Sequence, residues 1–491
     1  MKTKKSIQPR SWMAFMAMLA CWLLPSGAWA SDIGNDVLAT GPCGDNLTYT
    51  IYSDMRVVIS GTGEMWNNYD SENPLTKEYS QSILQVIVEE GVTSIAAGAF
   101  QGSSSLTSVD IPTSMERIEG NAFTGCRALE RINISDLAAW CRISLGTIHD
   151  YVAGYAFSHL PLYLNGEKIE QLVIPEEVSY VEEGAFVGCN GLTSLIIPNW
   201  IQICLFAFNE CGNLDFVKMG PGSLQGSAFC DNLKTIVLTT SYPPSLGRWP
   251  AFLGKPVVWV PYGAASNYKN DTNPDGIGPT WRGKDIHEYY RSPKGIFYGL
   301  EPEGQTTKVI STDYFDDTDL MEVTIPSTIK CDDVTYTVTG IGHKAFEINR
   351  SVTKIILPST ITSVDDFAFS KCTSLDDLLC FAVEPPAASA SAFGNLNVSE
   401  VVLHVPAGSK SAFQSAEGWK DFANIVEEEY VVGDANGDGK VRIGDASAIL
   451  RFIVGDVPDS FNEMAADVNG DGLIRIGDVA AVLNIIVNQE P

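Results

Sequence analysis

The 491-residue chain carries 60 acidic and 32 basic residues, a formal net charge of −28, with 45% apolar and 19% charged residues. That length suits about three domains, and that apolar share can fill cores, which excludes wholesale disorder. Acidity of this degree repels phosphate backbones and anionic lipid, so nucleic-acid and membrane-surface binding are excluded as the main task, while divalent cations stay open.

The first thirty residues read as an address. Lys2, Lys4, Lys5 and Arg10 precede an apolar run over 12–24, then Pro25 and Ala28-Trp29-Ala30. That is the pattern of a secretory signal peptide cut after Ala30, and its apolar run is short of the ~20 residues a bilayer requires. Cys21, after Leu19-Ala20, raises a lipid anchor. A leucine two before it and the apolar run continuing past it argue against one. No later stretch reaches spanning length, so the chain is expected to be extracellular and held at the cell surface through another molecule.

From residue 80 the chain repeats itself. Ala-Phe recurs at Ala99-Phe100, Ala122-Phe123, Ala185-Phe186, Ala207-Phe208, Ala228-Phe229, Ala251-Phe252, Ala345-Phe346, Ala368-Phe369 and Ala392-Phe393, at intervals near 23 residues within each run. Many pairs follow a short apolar strand closed by proline, as at 106–112, 169–175, 192–198, 320–326 and 352–358. One such unit cannot bury its apolar side, but stacked units share a core, which predicts a solenoid. Alternation along each strand points Val109 and Ile111 inward and Ser108 and Asp110 outward. Cys126, Cys189, Cys211 and Cys372 recur in the phrase Ala-Phe-x-x-Cys and are expected as buried, reduced, small apolar residues of the stack. No C-x-x-C pair exists, so neither zinc nor a redox motif is indicated. The five histidines stand singly.

The array falls into two blocks with matching ends. Val260-Pro261-Tyr262-Gly263 precedes Tyr268, Trp281 and Ile286; Val405-Pro406-Ala407-Gly408 precedes Phe413, Trp419 and Ile425. These endings read as caps over an open stack. New strands at 295–298 and 331–340 reopen a second stack. Outward side chains form two columns: Ser108, Gln171, Ser194, Phe216 and Thr235 beside Asp110, Val173, Ile196, Lys218 and Val237. Apolar residues facing water mark interaction sites, so Val173, Ile196, Phe216 and Val237 are the expected ligand face; strand propensity alone, or cover by residues 134–168, is the competing explanation.

The whole phrase, L-x-x-(L/V)-x-I-P-x-x-(V/I)-x-x-(I/V)-x-x-x-A-F-x-x-C, resembles the BspA-like, or Treponema-type, leucine-rich repeat of bacterial surface proteins over most of 80–427. Residues 41–63 are similar to that family's N-terminal hairpin, and 134–168 to its elongated repeat. The resemblance implies a β-rich leucine-rich-repeat solenoid with a hairpin cap at 31–79, a first block at 80–290 and a second at 295–427.

After residue 430 the texture changes. Asp434, Asn436, Asp438, Lys440 and Asp445 occupy positions 1, 3, 5, 7 and 12 of a 12-residue loop, and Asp467, Asn469, Asp471, Leu473 and Asp478 repeat it 33 residues later. Gly439 and Gly472 fill position 6, where the turn is sharp, and position 7 offers only its carbonyl. Clustered carboxylates repel unless a hard cation joins them, so two calcium ions are expected. Each loop enters an amphipathic helix, with Ile449/Leu450/Ile453 and Val482/Leu483/Ile486 as apolar stripes. An EF-hand would add an entering helix and usually Glu at position 12. This pair of loop–helix units, 430–491, instead resembles a dockerin, a small all-α calcium-binding domain that plugs into a cohesin on a scaffold protein. The resemblance places cohesin specificity at Ile443-Gly444 and Ile476-Gly477. The best-known dockerins carry hydroxyl residues there; this chain departs from them, which leaves the identity of its cohesin open.

No nucleophile elbow, zinc-protease helix, phosphate loop or dinucleotide fingerprint occurs, so no catalytic residue is assigned. The sequence reads as a secreted, non-catalytic binding protein whose repeats take a protein or glycan ligand and whose dockerin docks to a scaffold. The alternative is a carbohydrate-active or substrate-targeting subunit of a polysaccharide-degrading, cellulosome-like complex.

Overall fold

The computed structural model describes residues 36–67, 75, 78–146, 162–226, 228–246, 254–270, 281, 285–313, 321–347, 349–428, 430–458, 460–468 and 474–488. Residues 1–30, expected as a signal peptide, and the Ala251-Phe252 pair lie outside them. The chain forms two compact units, Met1–Lys168 and Ile169–Pro491.

In the first unit an antiparallel run, Val37–Gly44, Leu47–Tyr52 and Arg56–Gly61, starts an eight-stranded sheet. Arg56–Gly61 then pairs in parallel with Gln85–Val88, and Ser108–Ile111, Arg131–Ile134 and Leu162–Leu164 follow. The early hairpin therefore supplies the edge on which the first coil templates. Leu162 aligns on Ile132, so the end of the 134–168 segment adds one more rung; residues 147–161 lie outside the description. Val109 and Ile111 are buried as alternation requires. Ser108, expected to face out, is only 5% exposed. Asp110 accepts from Gln85 Nε2 at 2.8 Å and Asn133 Nδ2 at 2.5 Å, so polar neighbours on adjacent rungs satisfy each other.

The second unit stacks coils in the same way. Gln171–Val173, Ser194–Ile197, Phe216–Met219, Thr235–Leu238 and Val257–Pro261 run parallel in register. A narrower sheet of Tyr180–Val181, Ile201–Ile203, Gly222–Leu224 and Ser245–Leu246 lines the far side of the same coils.

Ala-Phe is a coil-to-coil connector. Phe100 N–H donates to Ala122 O at 2.8 Å, Phe186 to Ala207 at 2.9 Å, Phe208 to Ala228 at 2.8 Å, Phe346 to Ala368 at 2.8 Å and Phe369 to Ala392 at 3.0 Å. The rings stack too: Phe186 on Phe208 at 5.0 Å, Phe346 on Phe369 and Phe369 on Phe393 at 5.4 Å, with nearly parallel planes. Alanine is needed because the preceding coil's Phe N–H must reach its carbonyl. Six of these turns also place the residue before Ala-Phe in the left-handed region: Gly98, Asn121, Gly184, Phe206, Lys344 and Phe367. Only glycine holds that conformation without a Cβ penalty, so coils with Phe or Lys there carry strain that packing offsets.

The recurring cysteine does more than fill space. Cys126 Sγ donates to Phe100 O at 3.2 Å, Cys211 to Phe186 O at 3.1 Å and Cys372 to Phe346 O at 3.0 Å. The apolar reading of these residues is therefore corrected: the thiol returns a hydrogen bond to the preceding coil. Cys211 and Cys372 are buried, Cys126 and Cys189 half-buried, and all ten described cysteines are free. Burial pushes the Cys189, Cys372 and Cys380 thiols up to about 12, which removes the reactive thiolate at neutral pH. Native alkylation is expected to spare Cys372 and Cys380 and to label them only after unfolding. Disulfide-linked peptides joining Cys126, Cys189, Cys211 or Cys372 in a mass map would contradict this.

The two endings match in detail. Tyr268 and Trp281 are fully buried and meet edge-on at 5.8 Å, with Trp281 Nε1 donating to Pro244 O at 3.1 Å. Phe413 and Trp419 repeat the contact at 5.3 Å, and Trp419 Nε1 donates to Pro386 O at 2.8 Å. Only the second closes a sheet, whose last strand is Asn424–Glu428. The first does not cover an open end: its strand Asp285–Arg291 pairs antiparallel with Ile296–Glu301, then Thr306–Thr312, and one twelve-stranded sheet continues into the second block.

Candidate functional site

The loop at 434–445 is built around two buried carboxylates. Asp434 is 5% exposed and accepts from Asp438 N at 3.0 Å and Gly439 N at 2.6 Å. Asp445 is fully buried, with Oδ1 accepting from Asn436 N at 3.0 Å and Oδ2 from Arg442 N at 2.7 Å. That last bond also makes Asp445 the capping acid of the helix Ile443–Ile453. Asp478 repeats the role for Ile476–Asn488, accepting from Arg475 N at 2.8 Å and Val468 N at 3.0 Å. Asn436 and Asp438 accept from the backbone N–H groups two residues on. Asn469, Asp471 and Leu473 lie outside the described residues.

Among the described residues no three His, Cys, Asp or Glu side chains converge into a ready metal cluster. The first loop's carboxylates turn onto backbone N–H groups instead, and no basic side chain among the described residues forms an ion pair with Asp434 or Asp445. Burying acidic groups with only neutral donors is costly, and the donor set is all oxygen. Both features fit a hard divalent cation held by Asp434, Asn436, Asp438, the Lys440 carbonyl and Asp445.

The two helices share a small core of Ala435, Val441, Ala446, Ala448, Ile449, Ala466, Val479 and Val482. Their stripes are split in a way the sequence did not separate. Ile449 and Val482 are fully buried, whereas Leu450 is 42% and Leu483 38% exposed. Exposed Ile443, Leu450 and Val454 fall at i, i+7 and i+11, one face of a helix, and Ile476, Leu483 and Val487 repeat them 33 residues on. Ile443 and Ile476 are 69% and 66% exposed, with Gly444 and Gly477 also exposed beside them.

On the repeat face the expected ligand patch is broken up. Val173 is 47% exposed and Ile196 half-buried, but Phe216 and Val237 are fully buried. They do not face water because the strands after the first ending fold over them: Phe216 and Val237 pack with Tyr289, Phe297 and Ile310. Lys218, from the same columns, donates to Thr312 O at 2.8 Å, pairs with Asp313 at 3.4 Å and lies 4.1 Å from the Phe297 ring centre. Burial pushes its ammonium down to about 8 against the pull of Asp313.

Turns of the second block cover the neighbouring positions. Lys344 reaches Asp215 Oδ1 at 2.6 Å and Thr193 O at 2.7 Å; His343 reaches Asp215 Oδ2 at 3.2 Å; Lys371 pairs with Glu170. Burial would raise the Asp215 carboxyl, but His343 and Lys344 hold it well below the usual range. Glu347 is 3% exposed, and its burial pushes its carboxyl up despite Lys344 and hydrogen bonds from Gln171 and Ser194. These residues lock one part of the chain onto another.

Comparison with known proteins agrees with this geometry. Residues 78–142, 162–243 and 304–420 match the family described as the BspA type leucine-rich repeat region, in six copies. The chain belongs to the BspA-type leucine-rich repeat family. Residues 432–486 match the dockerin type I domain. None of the curated proteins matches. Among solved structures, a leucine-rich repeat protein from Eubacterium ventriosum is 18% identical, covering 75% of this chain and 79% of that one, with a TM-score of 0.23. A leucine-rich cell surface protein from Faecalibacterium prausnitzii is 15% identical, covering 80% and 96%, at 0.22. A leucine-rich repeat protein from Bacteroides ovatus is 16% identical, covering 78% and 99%, at 0.21.

The BspA-type repeats and the dockerin are both non-catalytic modules. Dockerin type I domains bind calcium, which agrees with the oxygen donors around Asp434 and Asp445. A dockerin implies a cohesin as partner. No helix among the described residues is long and apolar enough to cross a membrane.

Proposed function

We propose that this chain is a secreted, non-catalytic binding subunit: its BspA-type repeats form a ligand-binding arm, and its dockerin, holding two calcium ions, plugs into a cohesin-bearing scaffold at the cell surface. The observation that carries the reading is the doubled apolar face of the dockerin. Ile443, Leu450 and the C-capping Val454 of one helix, and Ile476, Leu483 and Val487 on the other, stay exposed while their neighbours fill the core. Matched exposed apolar stripes suit a partner surface, and a duplicated stripe suits docking in two orientations related by a half-turn. Acceptance of Ile at both specificity positions calls for an apolar cohesin pocket.

Because either half can lead, Ile443→Asp or Ile476→Asp alone is expected to leave cohesin capture largely intact. The double substitution is expected to weaken it by about 100-fold or more, since two exposed contacts become buried charges. Capture by the double variant at wild-type strength, measured by surface plasmon resonance against a cohesin panel, would contradict this docking face.

A further inference from the structure

On the narrow sheet of the second unit, opposite the crowded parallel ladder, aromatic side chains stand in solvent. Trp200 is 77% exposed, Tyr242 73% and Tyr180 36%. Trp200 immediately precedes the strand Ile201–Ile203, Pro221 precedes Gly222–Leu224, and Tyr242 stands in the turn leading to Ser245–Leu246. Register fixes their relation: Tyr180 pairs with Gln202, Gln202 with Ser223 and Ser223 with Ser245. Trp200 and Tyr242 are thus two coils apart along the stack, and rungs at ~4.8 Å separate them by about 10 Å. Pro221 lies between them.

Neither aromatic is loose. Trp200 holds φ +65°, in the left-handed region, and its N–H donates to Pro221 O. A bulky residue there is strained, and an exposed indole gains no packing in return, which points from strain to function. Tyr242 is braced at its backbone: its carbonyl accepts from Tyr268 Oη at 3.1 Å and from Thr240 Oγ1 at 3.0 Å, and Asn267 Nδ2 holds Ser241 O at 2.9 Å. Between and beside the rings stand the amide of Gln202 and the hydroxyls of Ser223 and Ser245.

From this arrangement we propose that the face binds a neutral β-1,4-linked polysaccharide chain running along the stack, with pyranose rings on Trp200 and Tyr242. Sugar rings present apolar C–H faces to aromatic planes and hydroxyls at their edges to amides and hydroxyls, which is the pattern offered here. A two-coil spacing matches one disaccharide repeat of an extended β-1,4 chain, so alternate sugars meet successive rings. The occupant is neutral because the chain's net charge of −28 repels uronic or sulfated glycans. Tyr and Trp rings have only two side-chain torsions to order, here on a backbone held by those hydrogen bonds. The inference rests on the repeats being a ligand-binding arm and is independent of which cohesin the dockerin takes.

The test is calorimetric titration of the full-length chain with cellohexaose and with laminarihexaose, whose β-1,3 linkage curves the chain away from the stripe. Wild type is expected to bind cellohexaose and to discriminate against laminarihexaose. Trp200→Ala with Tyr242→Ala is expected to weaken cellohexaose by about tenfold or more, whereas Trp200→Phe keeps binding within a few-fold. Trp66→Ala, an exposed tryptophan in the other unit, is expected to change nothing. No cellohexaose binding by wild type, equal binding of both sugars, or wild-type affinity in the double variant would each overturn the proposal. Cohesin capture measured on the same samples separates the readings: cellohexaose binding without capture counts against the docking role alone, and capture without cellohexaose binding against this inference alone.

Discussion

Stripping calcium from the full chain is expected to unfold the dockerin while the repeats stay intact. The dockerin core is eight small or medium side chains, including four alanines, too few to hold two helices against chain entropy. Metal binding then supplies much of the folding free energy, because ligands gathered only in the folded state couple the two. Each ion, with calcium 100-fold above its Kd, adds ~2.7 kcal/mol, a factor of about 100 in the folded population. Hydrogen exchange read by mass spectrometry should therefore show Ile443–Ile453 and Ile476–Asn488 exchanging about 100-fold faster or more in chelator. Peptides from the parallel ladder should be unchanged. Asp445→Ala should act more strongly than Lys440→Ala, since Asp445 both offers a carboxylate and caps its helix, whereas Lys440 offers a carbonyl that any residue has. Unaltered protection in chelator would remove calcium from the account.

Phe369→Ala is expected to be the most damaging single substitution in the second block. Its ring is fully buried, stacked at 5.4 Å against Phe346 on one side and Phe393 on the other. Deleting it opens a cavity between two coils, for which buried Phe→Ala changes cost about 3–5 kcal/mol. In a stacked array that loss is felt by neighbouring coils first. Trp419, which meets Phe393 edge-on at 5.1 Å, is among the chain's ten tryptophans, and its peptide should lose exchange protection together with the Ala-Phe turns on either side. Phe100 and Phe123, stacked in the other unit, should not respond. By contrast Phe367→Ala, two residues away and half-buried at φ +57°, should cost far less. A Phe369→Ala chain unfolding at the wild-type denaturant midpoint would contradict the stacked-ring account.

The repeat was legible because its spacing is imposed by contact: Phe must lie on the Phe of the next coil, and Ala must leave room for that coil's backbone. The dockerin was legible because its loop oxygens recur at fixed positions 33 residues apart. What alternation along a strand cannot say is what covers its outer side. Phe216 and Val237 point away from their own coil as period two requires, yet the run at 285–312, distant in sequence, folds over them. Polar members of the same columns gave no warning either: Lys218 was expected to face outward, and its partners Thr312 and Asp313 are almost a hundred residues on. The cysteine position was visible, but its role was not, because a thiol donating to a carbonyl and a thiol filling space leave the same letter. On the dockerin helices, periodicity found the apolar side but could not divide it between core and partner. Trp200 occupies a variable position of the repeated phrase, two residues after Pro198, and Tyr242 a turn outside it, so pattern reading passed over them.

The two-module account is tested most directly by cohesin capture with the full chain in millimolar calcium and again in excess chelator, across a panel of apolar-pocket cohesins. The account predicts tight capture by at least one cohesin in calcium, complete loss in chelator and full recovery when calcium is restored. Capture that persists in chelator, or no capture by any cohesin in calcium, would contradict it.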